Sequence, residues 1–328
     1  MSIDPSTESV NPAPPGKTLI MVHGRGWKPE PAALESLWRR AMACGLDRDF
    51  ADAGGAGLLD GLETRFVYYG DLTNALLGET REQRDLDLDL EDREHALTRL
   101  MSINQAKKFR RAAYEELPGK SSLKEFIADV SAPILSGLGL TGRTLRKRMP
   151  EVVAYLDPQQ AFRAALQQRI LDRLAPALAR GDDVLLLTHC LGSIAAYDVL
   201  WRLTHDPAVS VSHGGNRLRT WITLGSPLAD EFVKKSIAGA REPEERRYPR
   251  TAINWYNVAA EDDFTCHDET MANDFRPMLD QRLISEIHDF RIYNLAVRYS
   301  RSNPHSAIGY LIHPRVARLL ATWLGVPA

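Results

Sequence analysis

Short apolar runs recur along the chain and alternate with stretches of helical periodicity. Parallel strands must be joined by a crossover, usually a helix, so this alternation is typical of a parallel sheet covered by helices. Strands are predicted at Thr18–Val22, Arg65–Tyr69, Val184–Thr188, Thr220–Leu224, Ile253–Ala259 and Phe290–Val297. Helices are predicted at residues 31–43, 159–179 and 307–324, with one more directly after Thr188. The expected fold class is therefore α/β, with a mostly parallel, twisted sheet flanked by helices.

The segment between the second and third strands is too long for a single crossover. Residues 159–179 supply the crossover helix, so residues 72–157 are predicted to form a helical insertion. Within it, the apolar FIADVSAPILSGLGL (126–140) is followed by the basic TGRTLRKR (141–148). A lid over a binding pocket is one interpretation, and packing against the sheet edge or a partner chain is the other. The basic flank also leaves contact with an anionic membrane surface open.

The ends and the composition limit the classes of protein that fit. Residues 1–16 are polar and proline-rich without the basic start and apolar core of a secretory signal, so they are predicted to be a disordered leader before one domain, 17–328. A net charge of -2 gives no reason to expect a nucleic-acid partner. No apolar run reaches the ~20 residues of a transmembrane helix. Three widely spaced cysteines argue against disulfides and for a reducing cytoplasm.

Three short motifs do not support a cofactor or metal site. PGKT at 15–18 lacks the first glycine of a phosphate-binding loop and precedes a strand instead of following one. HGRGWKP, after the first strand, has Pro29 where a dinucleotide-binding loop needs its third glycine. Cys266-His267-Asp268 offers contiguous ligands without a distant pair, which is not a metal-site pattern. Neither a cofactor nor a metal is therefore expected.

The stretch LLLTHCLGS, residues 185–193, combines a strand, an abrupt turn and the start of a helix. This context exposes one side chain at the carboxyl edge of a sheet, as a nucleophile elbow does, and here that side chain belongs to Cys190. Thr188 and Gly192 supply the small residues that such a turn favours two positions to either side. The backbone N–H of Leu191 would lie near the reacting centre at the positive end of the helix. The alternative is that Cys190 is a small buried residue without reactivity.

With three further segments, the chain resembles the α/β-hydrolase superfamily, specifically its lipase/esterase-like branch, with cysteine in the nucleophile elbow. The segments are LIMVHGRGW (19–27), TLGSPLAD (223–230) and NPHSAIGYLIHP (303–314). The resemblance covers about 17–70 and 159–325, and it implies an α/β-hydrolase fold with the insertion as a lid or cap. It also implies an oxyanion hole built from the backbone N–H groups of Gly24, Arg25 and Leu191.

Catalytic residues in this family follow the order nucleophile, acid, histidine. His305 lies in a loop after the last predicted strand and is the expected catalytic histidine. His313 falls within the terminal helical stretch and is expected to be structural, as is His23 in the turn after the first strand. The Arg25 side chain could meet a carboxylate of the substrate or of the lid.

The acid should follow the strand at 253–259, where Glu261, Asp262 and Asp263 stand together. In family members the acid often precedes an apolar or β-branched position, which favours Asp263 and leaves Asp262 as the alternative. Asp268 and Asp289 are less well placed.

A Cys190–His305–Asp263 triad predicts an acyl hydrolase that acts on small-molecule esters or thioesters. A neighbouring histidine and a helix N-terminus lower a thiol's pKa, and the thiolate can form an acyl-thioenzyme intermediate. Dienelactone hydrolases and polyhydroxyalkanoate synthases are family precedents for cysteine at this position. The alternatives are an acyltransferase using the same triad, a catalytically degenerate protein that binds a ligand or partner, and a redox sensor at Cys190.

Overall fold

The structure is a computed structural model that describes residues 16–79, 84–119, 149–266 and 270–327. A six-stranded, entirely parallel sheet forms its centre, in the order β2-β1-β3-β4-β5-β6. The strands are β1 (Lys17–Val22), β2 (Glu63–Val67), β3 (Asp183–His189), β4 (Leu218–Leu224), β5 (Ala252–Ala260) and β6 (Glu286–Ile292). A separate antiparallel pair comprises β7 (Val297–Arg298) and β8 (Arg301–Ser302). The expected α/β architecture with a parallel sheet is confirmed.

Helices cover both faces of the sheet. In chain order they are α1 (Pro31–Phe50), α2 (Gly70–Gly78), α3 (Leu86–Ser102), α4 (Arg111–Glu115), α5 (Pro150–Leu156), α6 (Ala161–Ala179), α7 (Leu191–His205), α8 (Pro207–Ser210), α9 (Glu231–Lys234), α10 (Glu244–Arg247), α11 (Met271–Asp274), α12 (Arg276–Asp280), α13 (Ala307–Leu311) and α14 (Pro314–Leu324). Short 3₁₀ turns lie at Ala51–Ala53, Gly55–Leu59, Ala106–Lys108, Val211–His213 and Phe264–Cys266.

The side chains of each central strand divide between two cores. Along β1, Ile20 and Val22 pack with α6 and α7, whereas Leu19 and Met21 pack with α1 and α14. Because successive side chains of a strand point to opposite faces, a strand covered on both sides reads as a continuous apolar run. This is why the inner strands stand out in the sequence.

The strand order reverses between β1 and β3. From β1 the chain crosses to β2 on one side and then returns to β3 on the other, and Val22 pairs with Thr188 at the carboxyl ends of β1 and β3. Such a switch point opens a crevice outside the carboxyl ends of the two strands, where α/β proteins commonly bind ligands. The turns that begin at His23 and at Cys190 therefore emerge side by side.

Two predicted boundaries were wrong. β6 runs from Glu286 to Ile292, so it starts four residues earlier than predicted. Its first half was not recognised because an edge strand tolerates exposed charged side chains. The terminal helix is broken at His313, whose backbone is extended (φ -67°, ψ 141°) before Pro314. A residue that precedes proline disfavours the helical conformation, so α14 starts anew.

The described parts of 72–157 are mainly helical and include α3, α4 and α5. The 126–140 and 141–148 segments, for which a lid was one interpretation and packing against the sheet edge or a partner chain the other, lie outside the described residues, as do residues 1–15 of the predicted leader. Among the helices that the structure describes, none is long and apolar enough to cross a membrane.

Candidate active site

Cys190 lies in a sharp turn between β3 and α7. Its backbone has φ 52° and ψ -121°, a conformation that is rare for any residue other than glycine. The Cys190 N–H donates to the Leu224 carbonyl of β4 at 3.0 Å, which ties the turn to the sheet. Gly192 is required by close packing, because a Cβ there would lie 2.5 Å from the His23 carbonyl oxygen. The backbone is that of an elbow that presents one side chain at the carboxyl edge of the sheet.

His305 is joined to Asp263 at the same edge. Its Nδ1–H donates to the Asp263 carboxylate, with 3.0 Å to Oδ1 and 2.9 Å to Oδ2. Asp263 also accepts from the Tyr310 hydroxyl at 2.6 Å and from the Thr265 N–H at 3.0 Å. Burial raises the pKa of Asp263, but the charge of His305 and these hydrogen bonds outweigh it and hold that pKa well below its usual range. Asp263 is therefore a buried, fully ionised carboxylate.

His305 in turn interacts with the Cys190 thiol. Burial lowers the pKa of His305, but the charges of Asp263 and Cys190 and the hydrogen bonds that His305 donates to both raise it to about 10. Burial raises the pKa of Cys190, but the charge of His305, a hydrogen bond with it, and Arg25 lower that pKa below its usual value. These shifts favour a thiolate–imidazolium pair.

The sulfur of Cys190 is enclosed. The residue has no exposed surface, and the backbone N–H of Arg25 is a hydrogen-bond donor to its side chain. Gly24 lies against it, since a Cβ on Gly24 would be 2.9 Å from the Cys190 Cβ. Leu191 is the first residue of α7, where backbone N–H groups lack partners within the helix. The three expected oxyanion-hole residues therefore surround the elbow, and one of their N–H groups contacts the sulfur itself.

The other candidate acids are not brought to His305. Asp262 accepts a hydrogen bond from the Tyr114 hydroxyl of α4 at 2.9 Å, and Glu261 forms an ion pair with Arg291. Asp289 accepts from the Asn257 amide and the Ala272 N–H. Asp268 lies outside the described residues.

The two histidines expected to be structural bond to the backbone. His23 Nδ1–H donates to the Gly24 carbonyl at 2.8 Å, and its Nε2 accepts from the Tyr69 N–H at 3.0 Å. Burial and the nearby Lys28 lower the pKa of His23 well below its ordinary value, so the ring is neutral. His313 Nδ1 accepts from the Arg315 N–H at the start of α14.

His189, which precedes Cys190, is a site residue that the sequence did not assign. Its ring lies 4.6 Å from that of His305, and its Nε2–H donates to the His305 carbonyl at 3.1 Å. Burial and the charge of His305 lower the pKa of His189 well below its ordinary value, so it is neutral. A histidine at the end of a buried strand was the available signal.

Two further residues lie against Asp263 and His305 and were also missed. Tyr310, on α13, accepts from the Ala260 N–H at 2.9 Å while it donates to Asp263. Gly225 follows β4 with φ 51°, and a Cβ there would lie 2.9 Å from Asp263 Oδ2 and 3.3 Å from His305 Nδ1. Both belong to segments quoted for the resemblance, but neither motif by itself assigns them a role.

A cavity of about 180 Å³ opens beside this arrangement. His189 and His305 line one part of it, and the turn after β1 lines another. Its described lining contains no aspartate or glutamate, and besides His305 it has four cationic side chains, those of Arg25, Lys28, Arg93 and Arg298.

The described residues contain no group of three or more His, Cys, Asp or Glu side chains that could hold a metal ion. The three cysteines are free thiols. The arrangement can supply a thiolate, a proton carrier and backbone donors.

Comparisons of the chain with family models, with curated proteins and with solved structures found no match. What these residues can do therefore follows from their own geometry.

Proposed function

We propose that the protein is an acyl hydrolase of the α/β-hydrolase type, which cleaves esters or thioesters through an acyl-thioenzyme on Cys190. The observation that carries this proposal is the position of His305, which bonds Asp263 at 2.9 Å on one side and interacts with the Cys190 thiol on the other. The chain order of these residues agrees with that of α/β-hydrolases. A nucleophile and a base held by a third group are the requirements for covalent acyl transfer.

The reaction would proceed in two halves. The Cys190 thiolate attacks the carbonyl carbon, and the new oxyanion accepts hydrogen bonds from N–H groups at Leu191 and at Gly24 or Arg25. The intermediate collapses as the alkoxide or thiolate of the substrate leaves with a proton from His305. Water then attacks the thioester carbonyl while His305 takes its proton, and the carboxylic acid departs as the Cys190 thiolate forms again.

Access to the sulfur requires a change at the covering turn. Cys190 is fully buried, and the backbone N–H of Arg25 donates a hydrogen bond to its sulfur. Substrate must therefore displace this contact, and the freed N–H then becomes available to the oxyanion. The cavity beside Gly24 and His305 provides the approach.

The same burial favours a second candidate, a ligand-binding protein without turnover. In that case the contact between Arg25 and the sulfur is the permanent state, and Cys190 is a structural residue at the elbow. The two candidates differ in whether a covalent acyl adduct forms.

The test is incubation with p-nitrophenyl acetate, p-nitrophenyl butyrate and S-acyl thioesters, followed by product release and intact-mass measurement. We expect turnover and an acyl adduct on Cys190 in the wild type, and neither in Cys190→Ala. Cys44→Ala is the matched control, because Cys44 is a half-buried thiol of α1 and should be dispensable. Absence of both turnover and adduct in the folded wild type would rule out the hydrolase.

A further inference from the structure

Lys28 is a buried cation without a carboxylate partner. Only 6% of the residue is exposed, and among the residues that the structure describes no carboxylate lies within ion-pairing distance of its Nζ. The ammonium donates instead to the carbonyls of Arg25, Gly26 and Trp27, at 2.5, 3.2 and 3.3 Å. Two of these contacts are long, so either could be exchanged for a closer acceptor that enters the cavity.

The three arginines of the cavity are each balanced by a carboxylate behind them. Arg93 pairs with Asp89 at 2.6 Å, and Arg298 pairs with Asp89 at 2.9 Å and also with Asp92. Arg25 lies 4.0 Å from Glu151, the longest of these contacts. The carboxylates of Asp89, Asp92 and Glu151 thus face the arginines, and among the described residues none of them pairs with Lys28.

We propose that the substrate's acyl group bears a carboxylate, which binds in this cavity between Lys28 and Arg25. A carboxylate has two acceptor oxygens, one for the Lys28 ammonium and one for the Arg25 guanidinium, and it adds one negative charge, whereas a phosphate group adds about -1.5 to -2. The inference rests on the hydrolase function proposed above, since the cavity adjoins His305.

The volume of the described cavity suits a short acyl group. A cavity of 150 Å³ in another protein holds benzene, so about 180 Å³ admits a group only slightly larger. A half ester or half thioester of a dicarboxylic acid with four or five carbons, roughly, fits both the size and the charge.

The pKa of Lys28 depends on burial and on the charges around its ammonium group. Burial and the charge of Arg93 lower the pKa of Lys28 to about 7, and the carboxylates of Asp89 and Glu151 only partly oppose this. A bound carboxylate would supply the opposite charge and raise that pKa.

Two matched pairs of reagents test the proposal on the wild type. The first pair is the p-nitrophenyl half ester of glutaric acid and its neutral methyl ester, compared by kcat/KM. The second pair is iodoacetate and iodoacetamide, which alkylate Cys190 by displacement of iodide and need no turnover. In each pair we expect the anionic reagent to react at least tenfold faster than the neutral one. For the alkylating pair, the ratio of the iodoacetate rate to the iodoacetamide rate is first divided by the ratio that the two reagents give with N-acetylcysteine.

A variant pair locates the effect. Lys28→Met should reduce the preference at least tenfold, whereas Lys235→Met should retain it, because Lys235 directly follows α9, is absent from the cavity lining and has a side chain that is 76% exposed. If Lys28→Met does not fold, the wild-type ratios still decide. Inorganic phosphate should protect Cys190 from alkylation less well than glutarate.

The outcomes separate the two proposals. Turnover of both esters without an anionic preference overturns the carboxylate site and leaves the hydrolase. Preferential alkylation by iodoacetate without turnover of any ester overturns the hydrolase and supports the carboxylate site. Equal or slower alkylation by iodoacetate, with no ester turned over, overturns both.

Discussion

Replacement of Asp263 by asparagine should break the thiolate–imidazolium pair without changing the shape of the site. Asp263 Oδ2 lies 2.9 Å from His305 Nδ1. Two unit charges about 3 Å apart at an effective dielectric constant of about 20 attract by roughly 5 kcal/mol, or roughly four pKa units. The rise of the His305 pKa from 6.5 to about 10, against burial, has a similar size.

The sign follows from the charges. Without the carboxylate, burial lowers the pKa of His305, and its imidazolium is lost at a lower pH. The Cys190 thiolate then lacks the cation that lowers its pKa, and burial shifts the thiol pKa upward. In the wild type the thiolate should form at a lower pH than a free thiol, which titrates near ~8.5. In Asp263→Asn the thiolate should form at a pH at least about one unit higher than in the wild type. This shift corresponds to a thiolate fraction about tenfold smaller near neutrality.

The assay is the ultraviolet thiolate absorbance of each protein as a function of pH, with the spectrum of its Cys190→Ala form subtracted. This readout does not require a reagent to reach the buried sulfur. Asp262→Asn is the matched control, because the Asp262 carboxylate bonds Tyr114 and should leave the profile unchanged. The reasoning is refuted if Asp263→Asn titrates like the wild type, or if Asp262→Asn shifts the profile as far.

Two further substitutions test the surroundings of the triad. Tyr310→Phe removes a hydrogen bond to the Asp263 carboxylate. The free energy of unfolding, measured by urea denaturation, should therefore fall by about 2 kcal/mol, and ester hydrolysis should slow about tenfold. Unchanged values would mean that the hydroxyl does not support Asp263. Gly192→Ala places a Cβ 2.5 Å from the His23 carbonyl, which should cost about 1–3 kcal/mol in the same assay. Gly78→Ala is its control, since nothing lies within 4 Å of a Cβ there, and equal losses in both would contradict the packing argument.

The strands that were read from the sequence most easily are those buried on both faces. β3 and β4 are almost entirely buried, so they are mostly apolar and their ends were predicted to within two residues. β6 lies at the sheet edge, where only one neighbour and partial exposure permit charged residues, and its first half was missed. Hydrophobic periodicity in a sequence reflects burial, so it predicts a strand poorly where the strand is exposed.

The residues of the candidate site also divide into those that the sequence predicted and those that only the fold reveals. Chain order and local context predicted that Cys190, Asp263 and His305 meet, and they do meet at one edge of the sheet. The cations of the cavity could not be predicted, because Arg93 and Arg298 come from α3 and β7, elements with no motif and far apart in sequence. Only the fold brings them beside Lys28.

The two adjacent histidines show why geometry had to decide which of them carries a proton. His189 and His305 are both buried, with rings 4.6 Å apart, so both cannot be charged at low cost. Asp263 faces His305 and stabilises its imidazolium, and the resulting charge disfavours a proton on His189. Environments that separate the pKa values of neighbouring groups in this way assign their roles. His305 is therefore the histidine that would exchange protons in the proposed reaction, while neutral His189 holds the His305 backbone in place through its Nε2–H.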